Sequence, residues 1–193
     1  MEAELGREAV RAARQAAEAE TEGRSENPTL SEEFERHSGA FVTINRYPSG
    51  ELRGCIGYPE PVFPLGEAII EAARSACHDP RFPPLTLEEV VDCVFEVTIL
   101  TPPHSIEFSS KDELLSKIEI GRDGLIISFK GRRGLLLPQV PVEWGWDKNQ
   151  YLDNLCIKAG LPKDAWKYED VDIDKFQGEI FYEVSPGGDV VRK

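Results

Sequence analysis

Two pairs of strand-like segments, each joined by a short turn, constrain the fold of this chain more than any other feature. Residues 40–46 and 51–57 are rich in Val, Ile, Phe and Thr, and residues 48–50 between them have the Pro-Ser-Gly composition of a turn. Residues 125–137 repeat the pattern around a turn at residues 131–134. Because hairpins require antiparallel pairing, the sequence predicts an α+β fold, with mainly antiparallel sheet and flanking helices, rather than a doubly wound parallel sheet.

Hydrophobic periodicity predicts the remaining elements and an uneven division of the chain. Helical spacing and strand alternation give the following expected elements: helices over residues 2–19, 65–77 and 111–118 and between an Asp147 cap and Gly160, and strands over residues 91–99 and 176–184. We expect two unequal subdomains, with residues 1–101 and 171–193 in the larger and residues 102–170 in the smaller.

The charge of the chain excludes several classes of function. Lys and Arg number 22 against 35 Asp and Glu, which gives a formal net charge of −13. This charge repels nucleic-acid phosphates and anionic membranes, and it disfavours a nucleic-acid binder. No apolar stretch approaches the roughly 18 residues of a membrane span, and the acidic residues near the N-terminus do not fit a signal peptide. We therefore expect a cytoplasmic protein that does not enter a membrane.

The four cysteines divide into two groups. Cys77, Cys93 and Cys156 lie on apolar stripes, where a cysteine usually acts as a small hydrophobic residue. Strand alternation instead places Cys55 on the face that carries Arg53, and a nearby cation would stabilise a thiolate. A tightly packed structural strand explains the same residues equally well. The cysteines form no CxxC pair and the chain has only three histidines, so the sequence predicts no metal site.

Two proline-containing segments offer further candidate residues, each with two interpretations. Residues 79–84 present Arg81 and Phe82 on a stiff backbone, either as a recognition loop or as a rigid connector in which Arg81 pairs with Asp79. Residues 137–146 contain two prolines and two tryptophans, and they either line a concave site or seal a corner between subdomains.

The segment Leu52-Arg53-Gly54-Cys55-Ile56-Gly57 resembles the signature hexapeptide of the AMMECR domain family. Other segments resemble further blocks of that family in the same order: residues 79–85, 100–103, 121–125, 136–140, 145–147 and 158–161. The resemblance covers about residues 39–183. On these motifs the chain is identified as a stand-alone member of archaeal or bacterial type.

The resemblance implies an α+β fold of two unequal subdomains, with the signature blocks near the groove between them. It implies no settled biochemical activity. Some relatives are joined to a Memo-type, dioxygenase-like domain and to a radical SAM domain, which suggests a part in a modification pathway. The positions carried over from the family motifs are Arg53, Cys55, Asp79, Arg81 and Gln139, with Glu143 and Trp144 adjacent.

These observations support two hypotheses of different classes. In the first, a site in the groove between the subdomains uses Cys55 as a nucleophile or redox thiol. Arg53 holds the thiolate, and Arg81 binds an anionic group of a small-molecule or modified-residue substrate with help from Gln139. In the second, the protein is a non-catalytic cytoplasmic scaffold whose groove binds a partner protein, and Cys55 is simply packed. The sequence assigns neither a cofactor nor an oligomeric state.

Overall fold

The structure of the protein is a computed structural model that describes residues 2–193, and it divides into two compact units. The first unit contains the described residues up to Leu100 together with Glu179–Lys193, and the second contains Thr101–Gly178. Each unit has its own hydrophobic core and its own antiparallel sheet. The predicted α+β fold is confirmed.

Helices and strands are interspersed along the described chain. The helices are α1 (Glu2–Thr21), α2 (Leu65–Cys77), α3 (Leu87–Val90), α4 (Lys111–Ser116), α5 (Gln139–Glu143) and α6 (Lys148–Lys158). The strands are β1 (Ala40–Arg46), β2 (Leu52–Tyr58), β3 (Cys93–Leu100), β4 (His104–Ser105), β5 (Gly124–Phe129), β6 (Arg132–Leu136), β7 (Asp172–Phe176), β8 (Gly178–Glu183) and β9 (Val190–Arg192).

A five-stranded sheet in the order β2-β1-β3-β8-β9 forms the base of the first unit. Every second residue of β1, at positions 40, 42 and 44, is fully buried in one core with α1 and α2. Arg14 ties α1 to the sheet, because its Nε and Nη2 donate to the Glu183 carboxylate at 2.7 and 2.6 Å. The strand β2 stands at the edge of this sheet, a position that leaves backbone groups to be satisfied by other means.

The second unit contains a four-stranded sheet in the order β4-β7-β5-β6, with α6 packed against it. The Asp147 side chain accepts from the Gln150 backbone N–H at 2.8 Å and caps α6, as the sequence predicted. Tyr151, Leu152 and Leu155 bury the apolar face of the helix. Local capping and periodicity were sufficient to predict this element.

The turn of the second hairpin begins one residue earlier than the sequence predicted. Lys130 and Gly131 have φ values of 48° and 76°, so these two residues make the turn. Two successive positive φ angles fit the right-handed twist of a hairpin. Arg132 and Arg133, expected in the turn, are the first residues of β6 and pair with Phe129 and Ser128.

Two further elements differ from the sequence-based expectation. The helix α5 lies within residues 137–146, where the sequence analysis predicted no helix; Pro138 is its N-cap and Pro141 lies in its first turn, where proline is tolerated. The strand β7 pairs with β5, and this carries the second unit to Gly178, beyond the limit expected at residue 170. Among residues 2–193, no helix has the length and apolar composition that crossing a bilayer requires.

Candidate functional site

Cys55 occupies a different environment from the other three cysteines. Cys77, Cys93 and Cys156 are buried, whereas Cys55 is half-buried and free. Burial raises the pKa of the Cys77 thiol to about 12, which makes that thiol inert. Cys55 lies opposite Thr43 of β1, and the Thr43 hydroxyl donates to its Sγ at 3.2 Å.

The outer edge of β2 at Cys55 is closed by the segment that follows α2. The Cys55 backbone N–H donates to Oδ2 of Asp79 at 2.9 Å, in place of the neighbouring strand that an edge lacks. The end of α2 reaches this point because residue 54 is a glycine. A Cβ on Gly54 would stand 2.2 Å from the carbonyl oxygen of Ala76. The glycine in the hexapeptide therefore serves the close approach of α2 to the strand.

Asp79 also holds the guanidinium of Arg81. Arg81 Nε donates to Oδ1 at 3.0 Å and Nη2 donates to Oδ2 at 2.6 Å, and Nη2 also lies 3.4 Å from the Cys55 carbonyl oxygen. The Asp79 side chain is 1% exposed, whereas that of Arg81 is 55% exposed. Among the described residues Nη1 of Arg81 has no hydrogen-bond partner, and the Arg81 side chain is open to solvent.

Both members of this pair keep their charges. The hydrogen bond from the Arg81 side chain holds the pKa of Asp79 well below its usual range against the opposing effect of burial, with help from the backbone N–H groups of Cys55 and Arg81. The hydrogen bond to Asp79 raises the pKa of Arg81, and charges on Asp79 and Cys55 add to this effect against desolvation. Asp79 is thus a fixed anion that positions a cation.

Arg53, which was expected to hold the Cys55 thiolate, makes its hydrogen bonds to other groups. The β1–β2 register shifts between Ile44 and Asn45, so Arg53 has no residue opposite it. Such a bulge breaks the alternation that placed Arg53 and Cys55 on one face. Arg53 is 3% exposed, and its Nε and Nη2 donate to the Glu89 carboxylate at 3.1 and 2.9 Å.

Further contacts make Arg53 a structural residue. Its Nη2 donates to the Pro84 carbonyl oxygen at 3.2 Å, and Glu89 belongs to the capping box that starts α3 at Thr86. The hydrogen bond from Arg53 lowers the pKa of Glu89 to about 2, against the opposing effect of burial. Arg53 thus connects β2 to the segment before β3. The cation at the Cys55 backbone is Arg81.

The other predicted residues belong to the second unit. Gln139 and Glu143 are the first and last residues of α5, both are exposed, and Trp144 follows the helix. The Trp144 side chain is 71% exposed, and its ring stacks on that of Trp146 with centroids 6.0 Å apart. These residues form an exposed aromatic surface in the second unit.

Thr43 is a functional candidate that the sequence reasoning missed. A simple signal would have found it: Thr43 and Cys55 each lie six residues from Ser49, the centre of the predicted turn. An antiparallel hairpin places such residues opposite each other. The hydroxyl–sulfur contact follows from that register.

The histidines contact other groups. His78 Nε2 lies 2.8 Å from Glu20 Oε1, and His37 Nδ1 lies 3.2 Å from the Pro61 carbonyl oxygen. Within residues 2–193, no three His, Cys, Asp or Glu side chains gather in a way that could hold a metal ion.

Comparisons with known proteins give one consistent result. A family model described as AMMECR1 matches residues 7–181. Protein MJ0810 of Methanocaldococcus jannaschii is 58% identical over 163 residues, which cover 84% of this chain and 81% of that protein. The crystal structure of an uncharacterized protein, PH0010 from Pyrococcus horikoshii, superposes with a TM-score of 0.78 at 49% identity and covers 98% of this chain and 97% of that one.

Proposed function

The chain belongs to the AMMECR1 family, and we propose that its first unit binds an anionic small molecule or modified residue at Arg81 and acts on it through the Cys55 thiol. One observation carries this proposal. The buried Asp79 carboxylate accepts from the Cys55 backbone and from the Arg81 guanidinium at the same time. The backbone of the residue that carries the thiol and the cation are therefore held by a common anchor, which is the preorganisation that a reactive site needs.

The division of roles follows from the contacts. Arg81 uses Nε and Nη2 to hold Asp79, which leaves Nη1 to donate two hydrogen bonds to a carboxylate or phosphate. Cys55 supplies the nucleophile. Asp79 positions both groups and does not transfer a proton, because its pKa lies well below its usual range as a result of the Arg81 hydrogen bond. The Memo-type and radical SAM domains joined to some relatives suggest that the modified molecule belongs to a modification pathway.

Alkylation by two reagents that differ in charge tests the proposal. Iodoacetate carries a carboxylate and iodoacetamide does not, so we expect Arg81 to favour iodoacetate selectively at Cys55. The rates at Cys55 are measured by mass spectrometry of the folded protein. In Arg81→Gln the ratio of iodoacetate to iodoacetamide rates should fall roughly fivefold, since an exposed ion pair contributes up to about 1 kcal/mol.

Arg36→Gln is the matched control, because it removes the same charge from an exposed arginine elsewhere. Its alkylation ratio should equal that of the parent protein. Arg81→Lys keeps the charge and should retain part of the selectivity, provided that circular dichroism shows a native fold. An unchanged ratio in Arg81→Gln would exclude Arg81 as the anion-binding group.

A second candidate function is supported by the exposed surface of the second unit. Trp144 and Val142 are 71% and 57% exposed, and large exposed apolar groups of this kind are typical of protein-binding surfaces. In this alternative the protein is an adaptor that binds a partner protein through Trp144, with Gln139 and Glu143 at its rim. Complementation of cells that lack the protein separates the candidates. A stably folded Cys55→Ala chain fails if the thiol acts, and Trp144→Ala fails if the protein is an adaptor.

A further inference from the structure

The first unit contains a groove that shares no residue with the Cys55 site. It lies between one face of α1 and the segment of residues 28–30, and it has a volume of about 350 Å³. This volume lies within the range of small-molecule sites. The walls include two acidic and two basic side chains of α1 as well as apolar groups, among them Glu4, Arg7, Arg11, Ala12, Gln15 and Leu30.

Contacts on both sides of residues 28–30 hold this segment against α1. Before it, the Arg24 backbone N–H donates to the Ala19 carbonyl oxygen at 2.8 Å. After it, the backbone N–H and the hydroxyl of Ser31 donate to the Glu8 carboxylate at 2.6 and 2.9 Å. The segment therefore runs antiparallel to α1, and Leu30 packs against the core of the unit. Because these contacts exist without a ligand, the groove is preformed, and binding need not open it.

Two arginines in this groove have no partner. Arg7 and Arg11 lie one helical turn apart on the same face of α1, so both guanidinium groups can reach one anionic group. Both residues are exposed, and among residues 2–193 neither has a partner for a hydrogen bond or an ion pair. Glu8 has the spacing to pair with Arg11, but its two carboxylate oxygens accept from Ser31. The two arginines therefore remain available to a ligand carboxylate.

The formal charge of the groove is zero, because Glu4 and Glu8 offset Arg7 and Arg11. A simple anion would meet both carboxylates and the long-range repulsion of a chain with a net charge of −13. A zwitterion is neutral overall, and each of its charges can pair with the opposite charge in the groove. Glu4 lies one turn before Arg7 and has no partner in the described part of the chain, so its carboxylate can accept from a ligand cation.

We propose that this groove binds a free amino acid with an apolar side chain, at a site separate from the one proposed at Cys55. The ligand carboxylate accepts from Arg7 and Arg11, and its ammonium group donates to Glu4. The apolar side chain packs on Ala12 and Leu30, which line the same groove. The order of these groups along α1 fits such a molecule, because the carboxylate and the arginines come first and the apolar wall follows them.

L-leucine is the probe, and it is titrated into the isotope-labelled full chain while backbone amide resonances are followed by NMR. The amides of residues 7–15 and 28–31 should shift and saturate, and they should do so equally in Arg81→Gln, which changes a residue outside the groove. N-acetyl-L-leucine lacks the positive charge and L-leucine amide lacks the negative charge, so each should bind roughly fivefold more weakly. Glycine should also bind more weakly, because it has no side chain to bury.

Substitutions assign each charge of the ligand to its partner. Arg11→Gln should weaken L-leucine binding roughly fivefold, whereas Arg36→Gln removes an exposed arginine outside the groove and should leave it unchanged. Glu4→Gln should weaken the binding of L-leucine but not that of N-acetyl-L-leucine, which has no ammonium group for Glu4. The ligand series on the parent protein does not depend on the folding of any variant. Absence of saturating shifts in residues 7–15 and 28–31, or equal affinity for L-leucine and N-acetyl-L-leucine, would overturn the proposal.

Discussion

Two arginine–carboxylate pairs flank Cys55 in the first unit, and they are built in opposite ways. In the Arg53–Glu89 pair the cation is buried, with the Arg53 side chain 4% exposed and that of Glu89 27%. In the Asp79–Arg81 pair the anion is buried, with Asp79 at 1% and Arg81 at 55%. Each guanidinium donates to protein groups through Nε and Nη2, and the enclosed one of Arg53 is out of a ligand's reach. The one that is exposed keeps Nη1 free for a ligand.

This difference shows that the arginine nearest to Cys55 in sequence is not the one that contacts it in the fold. Arg53 is two residues from Cys55, yet its hydrogen bonds go to Glu89 and to the Pro84 carbonyl. Arg81 is 26 residues away and contacts the Cys55 backbone. One arginine therefore stabilises the fold and the other is available for binding, and substitutions should separate these effects.

Arg53→Ala should give the largest loss of stability. The substitution removes a buried side chain and the hydrogen bonds that satisfy Glu89 and Pro84, and we expect a loss of about 3 kcal/mol. Urea unfolding at neutral pH measures the change. Where the variant is folded, its ratio of iodoacetate to iodoacetamide alkylation should match the parent. A variant of parental stability would show that the buried pair does not hold the strand.

Arg81→Gln should lower stability less than Arg53→Ala does, and it should weaken anion binding more. Asp79 loses its hydrogen bonds to the guanidinium but keeps those from the backbone N–H groups of Cys55 and Arg81. We therefore expect a loss of stability of about 1.5 kcal/mol. Anions such as phosphate should raise the melting temperature of the parent protein, because a ligand of the native state stabilises it, and this response should disappear in the variant. A retained response would place the anion elsewhere.

The sequence predicted the helices and strands that depend on local contacts better than it predicted the two arginine–carboxylate pairs. The cap and apolar face of α6 depend on neighbours within a few residues, and Asp147 with Leu152 was enough to define them. The role of Arg53 depends on a bulge and on Glu89, 36 residues away, and neither is visible in strand alternation. The Asp79–Arg81 pair was foreseen as one of two alternatives because both residues lie in one stiff segment.

Low pH should weaken the contribution of the Glu89 carboxylate to the stability of the fold. The Arg53 hydrogen bond lowers the pKa of Glu89 from an ordinary value near 4.5 to about 2. A carboxyl group with a depressed folded-state pKa contributes stability above its unfolded pKa and loses it as the pH falls through the folded value. The stability difference between the parent and Glu89→Gln, about 1 kcal/mol at pH 7, should therefore shrink between pH 4.5 and 2. Urea unfolding across this range measures it, and a constant difference would contradict the assignment.

Arg46→Gln should give the smallest effect and the sharpest test of what burial contributes. Arg46 and Arg53 donate to the same Oε1 atom of Glu89, at 2.8 and 3.1 Å. The Arg46 side chain is 47% exposed, so water competes for its charge and the pair contributes only about 0.3 kcal/mol. The two substitutions remove the same charge beside the same carboxylate, and they differ in whether the guanidinium is enclosed. Unfolding curves of Arg46→Gln and Arg53→Gln, measured side by side, should differ several-fold in lost stability. Equal losses would mean that ion pairing rather than enclosure determines the role of an arginine beside β2.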